Sequence, residues 1–600
     1  MAEPIENHGI IGDLRTAALV ALDGTIDFLC WPRFDSPSIF ASLLDDGHGS
    51  LFSLRPVLED ARHRQIYLPD TNILLTRFLS RDGVAEVFDL MVVTDQTGRQ
   101  RLIRRAKAVR GPTRFRMICA PRFDYGRAGH DMIVENGSIV FRSHAPDRLA
   151  LRLHASVPLT IENNMVVAEF ELTAESFASF VLEDASHGAE PNLAAENLVE
   201  AAFNDTMNYW RRWVSRSTYR GRWHEVVIRS SLTLKLLASA EHGSIVAAAT
   251  FGLPEEVGGV RNWDYRYTWP RDAAFTVYAF LRIGHVEEAN AFMRWLGQRT
   301  RETGSEGLLK PLYNLDGAPA TREIELPHLS GYRGSVPVRA GNAAGDQLQL
   351  DIYGEVMDAI YLSDKYGEQV SHRGWGAIVR IIDWLADNWQ QPDEGIWEVR
   401  GERRHFLHSR LMCWVAFDRA VRLARKRALP APLERWTSCR DAIYHEIHEE
   451  FWDSDQHAFV QYKGSKTLDA ACLLMPLVRF ISATDPRFRS TLKAVGDALV
   501  SDSLVFRYSA DAGHDGLAGN EGTFTMCSFW YVECLARAGH LAQARFLFDK
   551  MLSYANHLGL FAEELGPTGE HLGNFPQAFT HLALISAAYY LDQALSRHNR

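Results

Sequence analysis

Two nine-residue stretches far apart in the chain, LRIGHVEEA at 281–289 and ARAGHLAQA at 536–544, decide how the fold is read. Each sets a Gly-His pair between two amphipathic patterns. A glycine at the stop of one helix supplies the left-handed residue that caps it, and the next helix begins at once. The same device used twice suggests a repeated helical hairpin. Working outward, apolar periodicity and breakers predict helices near 223–240, 273–284, 287–303, 345–365, 371–390 and 407–427. Six more follow near 431–451, 467–482, 487–501, 523–539, 541–555 and 577–597. An even number of helices in hairpins closes naturally into an (α/α)6 barrel, with the connecting loops gathered at one end.

Upstream the period changes from helical to alternating. Runs at 72–78, 138–141 and 165–172 are rich in branched and aromatic residues, and Asp82-Gly83 and Asn136-Gly137 supply turn signals. The expected fold class is therefore multidomain α and β. Residues 1–193 form an antiparallel β-sandwich, 194–221 a helical linker and 222–600 the barrel.

Composition narrows the function. The net charge of −11 and the lack of a Lys/Arg run argue against nucleic-acid binding. No apolar run approaches a membrane span and no leader pattern opens the chain. The seven scattered cysteines lack CxxC spacing, which reads as reduced thiols in a cytoplasmic protein. Neither HExxH, GxxxxGK[ST] nor GxSxG occurs, so zinc, nucleotide and serine-nucleophile chemistry have no anchor.

Five loops mix aromatics with carboxylates or arginine: CWPRFDSPSIF (30–40), WDYRYTWPRDAA (263–274), GYRGSVPVRAGNAAGDQLQLD (331–351), PDEGIWEVR (392–400) and FAEELGPTGEHLGNFPQ (561–577). Flat apolar faces and charged forks suit a sugar. Cleaving a glycosidic bond needs one protonated and one ionised carboxyl group. Glu398, after Ile396 and Trp397, has the apolar setting of an acid, and Glu563 lies in a more polar loop. The residues alone leave Asp393, Glu394 and Glu402 open for the first role, and Glu564 and Glu570 for the second. Arg271-Asp272 could equally open a helix. Trp31, Tyr332, Arg333, His328 and Arg507-Tyr508 also have packing explanations.

Together with VFRYSADAGHDGLAGNEGTF (505–524) and HGIIGDLRTAALVALDGTIDFLCWPRFDSPSIF (8–40), these loops resemble glycoside hydrolase family 15, which contains glucoamylases, bacterial trehalases and isomaltose-type glucosidases. The resemblance spans nearly the whole chain and implies an N-terminal β-sandwich and an (α/α)6 barrel. It makes Glu398 the general acid and Glu563 the general base. It places Arg271, Asp272 and Arg507 on the terminal glucose, with Trp31, Trp397 and Tyr332 as further contacts; Arg333, beside Tyr332, is an expected substrate contact as well.

The implied enzyme is an inverting, exo-acting α-glucoside hydrolase that releases β-glucose. Trehalose is the first choice of substrate, because no starch-binding module is appended and Glu398 is followed by Val399 rather than a second Glu. A glucoamylase or isomaltose-type glucosidase is the alternative, followed by a disaccharide phosphorylase and a non-catalytic sugar binder. No cofactor is required; phosphate and Mg2+ stand as candidate effectors. The expected partner is a small disaccharide or oligosaccharide, with a homo-oligomer left open.

Overall fold

The computed structural model describes residues 2–45, 47, 50–93, 98–185, 192–303, 307–509 and 515–598. The N-terminal part is built from two eight-stranded antiparallel sheets. One runs in the order 8–12, 17–21, 25–30, 51–56, 113–120, 165–172 and 160–162, with Ser38–Phe40 paired to the strand at 25–30. The other runs from 130–135 through 138–143, 150–155, 177–184, 101–110, 84–91 and 74–79 to 62–67.

Strand Thr113–Ala120 shows the alternation of a half-buried strand, with Thr113, Phe115 and Met117 inward and Arg114 and Arg116 outward. His8–Gly12, Ala17–Ala21 and Thr25–Cys30 are instead buried at every position. Their second face is covered by the helical part, as the close approach of Gly9 to Leu558 and of Gly12 to Leu236 shows. Arg104 ties the two sheets together. Its guanidinium pairs with Asp89 at 2.7 Å within its own sheet and donates to the carbonyls of Phe52 and Gly24 in the other.

Helix α1 (Glu196–Ser215) leads into the ring. The ring comprises α2 (His224–Leu236), α3 (Ala273–Ile283), α4 (Val286–Glu302), α5 (Asp351–Tyr366), α6 (His372–Asn388), α7 (Leu407–Arg427), α8 (Leu433–Glu450), α9 (Leu474–Leu477), α10 (Pro486–Ala498), α11 (Thr525–Arg537), α12 (Leu541–Leu552) and α13 (Ala578–His598). Odd-numbered helices from α3 to α13 form the inner wall in succession, α7 meeting the 3-10 turn Ala470–Leu473 that leads into α9, and α13 closes onto α3. Burial reports the same division: α7 and α11 are enclosed nearly all round, whereas α8 buries only Trp436, Ile443 and Ile447. Gly284 and Gly539 both take left-handed φ values, 94° and 92°, between the paired helices. The repeated motif is thus the same inner-to-outer corner used twice.

The stretch expected as a helix over 467–482 is shorter than its pattern. A 3-10 turn at Ala470–Leu473 runs into a four-residue α9, and Arg479 then turns left-handed. Pro476 lacks the N–H that would continue the ladder, and the left-handed Arg479 ends the segment.

Candidate active site

All six inner helices start on the same face, so the loops at 263–272, 331–350, 392–406, 461–469, 505–509, 515–524 and 561–577 meet there. They enclose a pocket of about 800 Å3, counted out to its open mouth. Asp272, Phe524 and Gln577 line it from the residues directly before α3, α11 and α13. The positive ends of these helices favour the negative charge that collects here.

Glu398 sits in the loop before α7 with φ of 54°, a left-handed conformation that is costly for a non-glycine residue. The loop holds it there. Gln347 donates from Nε2 to the carbonyls of Glu398 and Val399 at 3.2 and 3.1 Å, and Glu394 accepts from the Leu348 amide at 2.8 Å. Oε1 of Glu398 accepts from Trp269 Nε1 at 2.8 Å, from Arg271 Nη1 and Nη2 at 3.2 and 3.3 Å, and from Gln349 Nε2 at 3.3 Å. Among the described residues every donor to this carboxyl goes to Oε1, which leaves Oε2 as the oxygen able to carry a proton.

Arg271 is itself fixed by Asp351 at 2.9 Å and by the Gln349 carbonyl oxygen; burial lowers its pKa, but the carboxylates of Asp351, Glu398 and Asp272 outweigh it and hold the pKa above the usual value. Asp272 stands at the N-cap of α3 yet makes no capping bond, so its carboxyl lines the pocket instead. Burial, opposed by Arg271, pushes Asp272 up to about 7.

Glu563 comes from the loop before α13 and is 1% exposed. Tyr265 donates its hydroxyl to Oε1 at 2.6 Å and the Asn574 amide donates to Oε2 at 3.3 Å. Gly573, with φ of 70°, makes room: a Cβ there would lie 2.5 Å from Oε2. Burial, and then the charge of Glu255, push Glu563 up to about 8. Glu255 is pushed up to about 7 by the same burial, and Glu564 well above the carboxylate range.

Carboxylate oxygens of Glu255, Glu563 and Glu564 lie within 4.8 Å of one another, the spacing of a cation site. A metal there would occupy the candidate base, so that cluster suits protons better than a catalytic ion.

Trp397 and Arg507 complete the floor. The indole N–H of Trp397 donates to Asp469 at 2.9 and 3.1 Å. Arg507 is held by Glu521 at 2.8 Å and lies 4.7 Å from the Phe524 ring centre and 5.6 Å from that of Trp397. Of the nine expected site residues, Glu398, Glu563, Arg271, Asp272, Trp397 and Arg507 are thus brought together.

Trp31, Tyr332 and Arg333 are not, which corrects their assignment to the substrate. Trp31, 1% exposed, belongs to the sandwich core. Tyr332 donates to the Glu3 carbonyl at 3.2 Å and Arg333 to that of Ala2 at 3.1 Å, so both pin the N-terminal segment. The neighbouring loop at 30–36 serves the site indirectly: Arg266, fully buried, donates to the carbonyl of Ser36 at 2.6 Å and pairs with Asp264 at 2.6 Å. In the segment 505–524, residues 510–514 lie outside the described residues.

Tyr265, Trp269 and Gln349 stand inside loops that were singled out, but nothing in their spacing marked them. Glu255 lay outside all of them, in the unremarkable run LPEEVGG at 253–259.

Comparison with known proteins gives this geometry a family. Residues 221–589 match glycosyl hydrolases family 15, and residues 1–186 match a trehalase-like N-terminal domain. The chain belongs to glycosyl hydrolase family 15. Within it, the chain is 36% identical to a trehalase of Mycolicibacterium smegmatis, over 98% of this chain and 92% of that protein. It is 35% identical to a trehalase of Thermoplasma volcanium, over 98% and 94%. The fold superposes on a bacterial glucoamylase complexed with acarbose with a TM-score of 0.74 at 14% identity, covering 99% of this chain and 95% of that one. Among the described residues no helix is long and apolar enough to cross a membrane.

Proposed function

We propose that this family 15 hydrolase is an inverting trehalase, with Glu398 as general acid and Glu563 as general base. One observation carries the pairing. Glu398 enters from the loop before α7 and Glu563 from the loop before α13, and these two inner helices stand three places apart in a ring of six. The ring therefore presents the two carboxyls from opposite walls of one pocket. Single displacement requires that arrangement, with the two groups about 6.5–9.5 Å apart so that a water fits behind the sugar.

The terminal glucose enters first, and Arg271, Asp272 and Arg507 grip its hydroxyls on the buried floor. Glu398 passes a proton from Oε2 to the glycosidic oxygen as the C1–O bond breaks. Glu563 removes a proton from the water whose oxygen bonds to C1 from the other face. The attacked glucose leaves as the β-anomer and the departing one as the α-anomer. Tyr265 aims the base through its 2.6 Å bond, and its hydrogen bond favours the ionised form against burial.

Trehalose is the proposed substrate because the trehalases of the relatives match over nearly their whole length. The chemistry needs no cofactor. Phosphate and Mg2+ are proposed as effectors only.

Purified protein given trehalose, maltose, isomaltose and maltotetraose, each with and without phosphate and Mg2+, tests this reading. Free glucose should form fastest from trehalose, and without any need for phosphate. Preference for a maltodextrin or isomaltose would move the enzyme to the exo-glucosidase alternative. A sugar phosphate as the product would make it a phosphorylase.

A further inference from the structure

Most residues lining the pocket are buried; Trp263, Tyr265, Asp272, Glu398, Arg400 and Leu517 are the lining residues that reach solvent. Of these, Asp272 belongs with the glucose on the floor and Tyr265 and Glu398 with the reacting bond, which leaves Trp263, Arg400 and Leu517 to mark the mouth. A sugar cleaved from the end of its substrate occupies the floor, so the departing sugar must sit on the mouth side of Glu398, whose proton goes to the bond between them. Two of these mouth residues carry groups that can recognise a sugar. Trp263 and Arg400 come from different loops and stand against each other, the Arg400 guanidinium 4.9 Å from the indole centre.

Both are held as a rigid unit. The Trp263 N–H donates to Glu255 at 2.9 Å, and Arg339 lies against the same indole at 4.8 Å. The Arg400 amide donates to the Asp515 carbonyl at 2.7 Å, and one Nη donates to Glu323 at 3.1 Å. An aromatic plate beside an arginine fork is a sugar-recognition surface: the plate covers ring C–H groups, and the fork has further N–H donors for vicinal hydroxyls. Because their partners already fix them, little rotamer freedom is lost on binding.

We propose that Trp263 and Arg400 form the binding site for the departing glucose and are the residues that select trehalose. The inference rests on the hydrolase reading above and specifies its leaving-group side. A glucose joined through its own anomeric oxygen offers an intact ring face to Trp263 and several hydroxyls to Arg400, with no reducing end to accommodate.

The test compares trehalose with α-glucosyl fluoride, which has the same terminal glucose and no departing sugar. In Arg400→Ala the ratio of kcat/KM for trehalose to kcat/KM for the fluoride should fall about 10- to 100-fold, the worth of a charge-assisted hydrogen bond. Arg400→Lys, which keeps the charge but not the fork, should recover only part of the ratio. Turnover of the fluoride shows at the same time that each variant is folded.

An unchanged ratio, with both substrates falling together or neither falling, would overturn the proposal. Wild-type protein that hydrolyses the fluoride but not trehalose would refute both the trehalase reading and this assignment. Wild-type protein inert toward both would refute the hydrolase reading itself.

Discussion

Glu255 gives the sharpest electrostatic prediction. Its carboxylate approaches that of Glu563 within 4.8 Å, and both are buried. At an effective dielectric constant of about 20, two unit charges at that distance repel by roughly 3.5 kcal/mol, or about 2.5 pH units. Glu255 itself lies at about 7, so near neutrality it is partly protonated and only part of that repulsion acts. The groups titrate together, and the acidic limb of the rate profile belongs to the pair.

Glu563 must be ionised to work, and its pKa is raised to about 8, so activity should be lost as pH falls through that region. Glu255→Gln removes the repulsion and leaves the burial. The acidic limb of kcat/KM for trehalose should then move down by about 1–2 units, with a higher rate below neutral pH. The assay is a pH series of initial glucose release, with Glu256→Gln as the control, since Glu256 is half-exposed and bonds to Asn520. A limb that stays in place, or moves up, would refute the electrostatic coupling.

Other outcomes follow from the same geometry. A carboxyl whose folded pKa is raised binds its proton more tightly in the native state than in the unfolded chain. Its contribution to stability is therefore full below about 4.5 and is lost as pH rises through about 8. Glu563→Gln should consequently cut kcat by roughly 10²–10⁴-fold while raising the melting temperature at pH 8, and a lowered melting temperature would contradict this. Tyr265→Phe removes the 2.6 Å bond to the base and should lower kcat about 10- to 100-fold with little change in KM; a change confined to KM would show that Tyr265 serves binding alone. Gly573→Ala places a methyl 2.5 Å from Glu563 Oε2 at a left-handed position, so activity should fall together with about 1 kcal/mol or more of stability in urea unfolding. Wild-type activity in that variant would mean the base loop adapts freely.

The ring was legible because its helices obey local rules: amphipathic period, glycine stops and short corners. Gly284 and Gly539 are left-handed as such stops require. Only the inner segment at 467–482 misled, where an apolar run hid the effect of Pro476 and a left-handed Arg479. The site was legible in proportion to how much of it lay in marked loops.

Residue type alone could not separate Glu398 from its neighbours, because what distinguishes it is a backbone angle and four donors supplied from other loops. Tyr332 and Arg333 show the converse. An aromatic-arginine pair in a loop looks like a sugar clamp, yet these two hold main-chain carbonyls at the N-terminus. Glu255 was illegible because nothing in its local sequence tells it from Glu256, and only the long-range fold buries one and leaves the other half-exposed.

The central claim is inversion by a carboxyl pair facing each other across the ring. Proton NMR of trehalose hydrolysis, read before mutarotation, tests it most directly. The account predicts equal initial amounts of β- and α-glucose, one from the attacked ring and one from the departing ring. Initial formation of α-glucose alone would mean retention, and Glu563 could not then be a base that activates water.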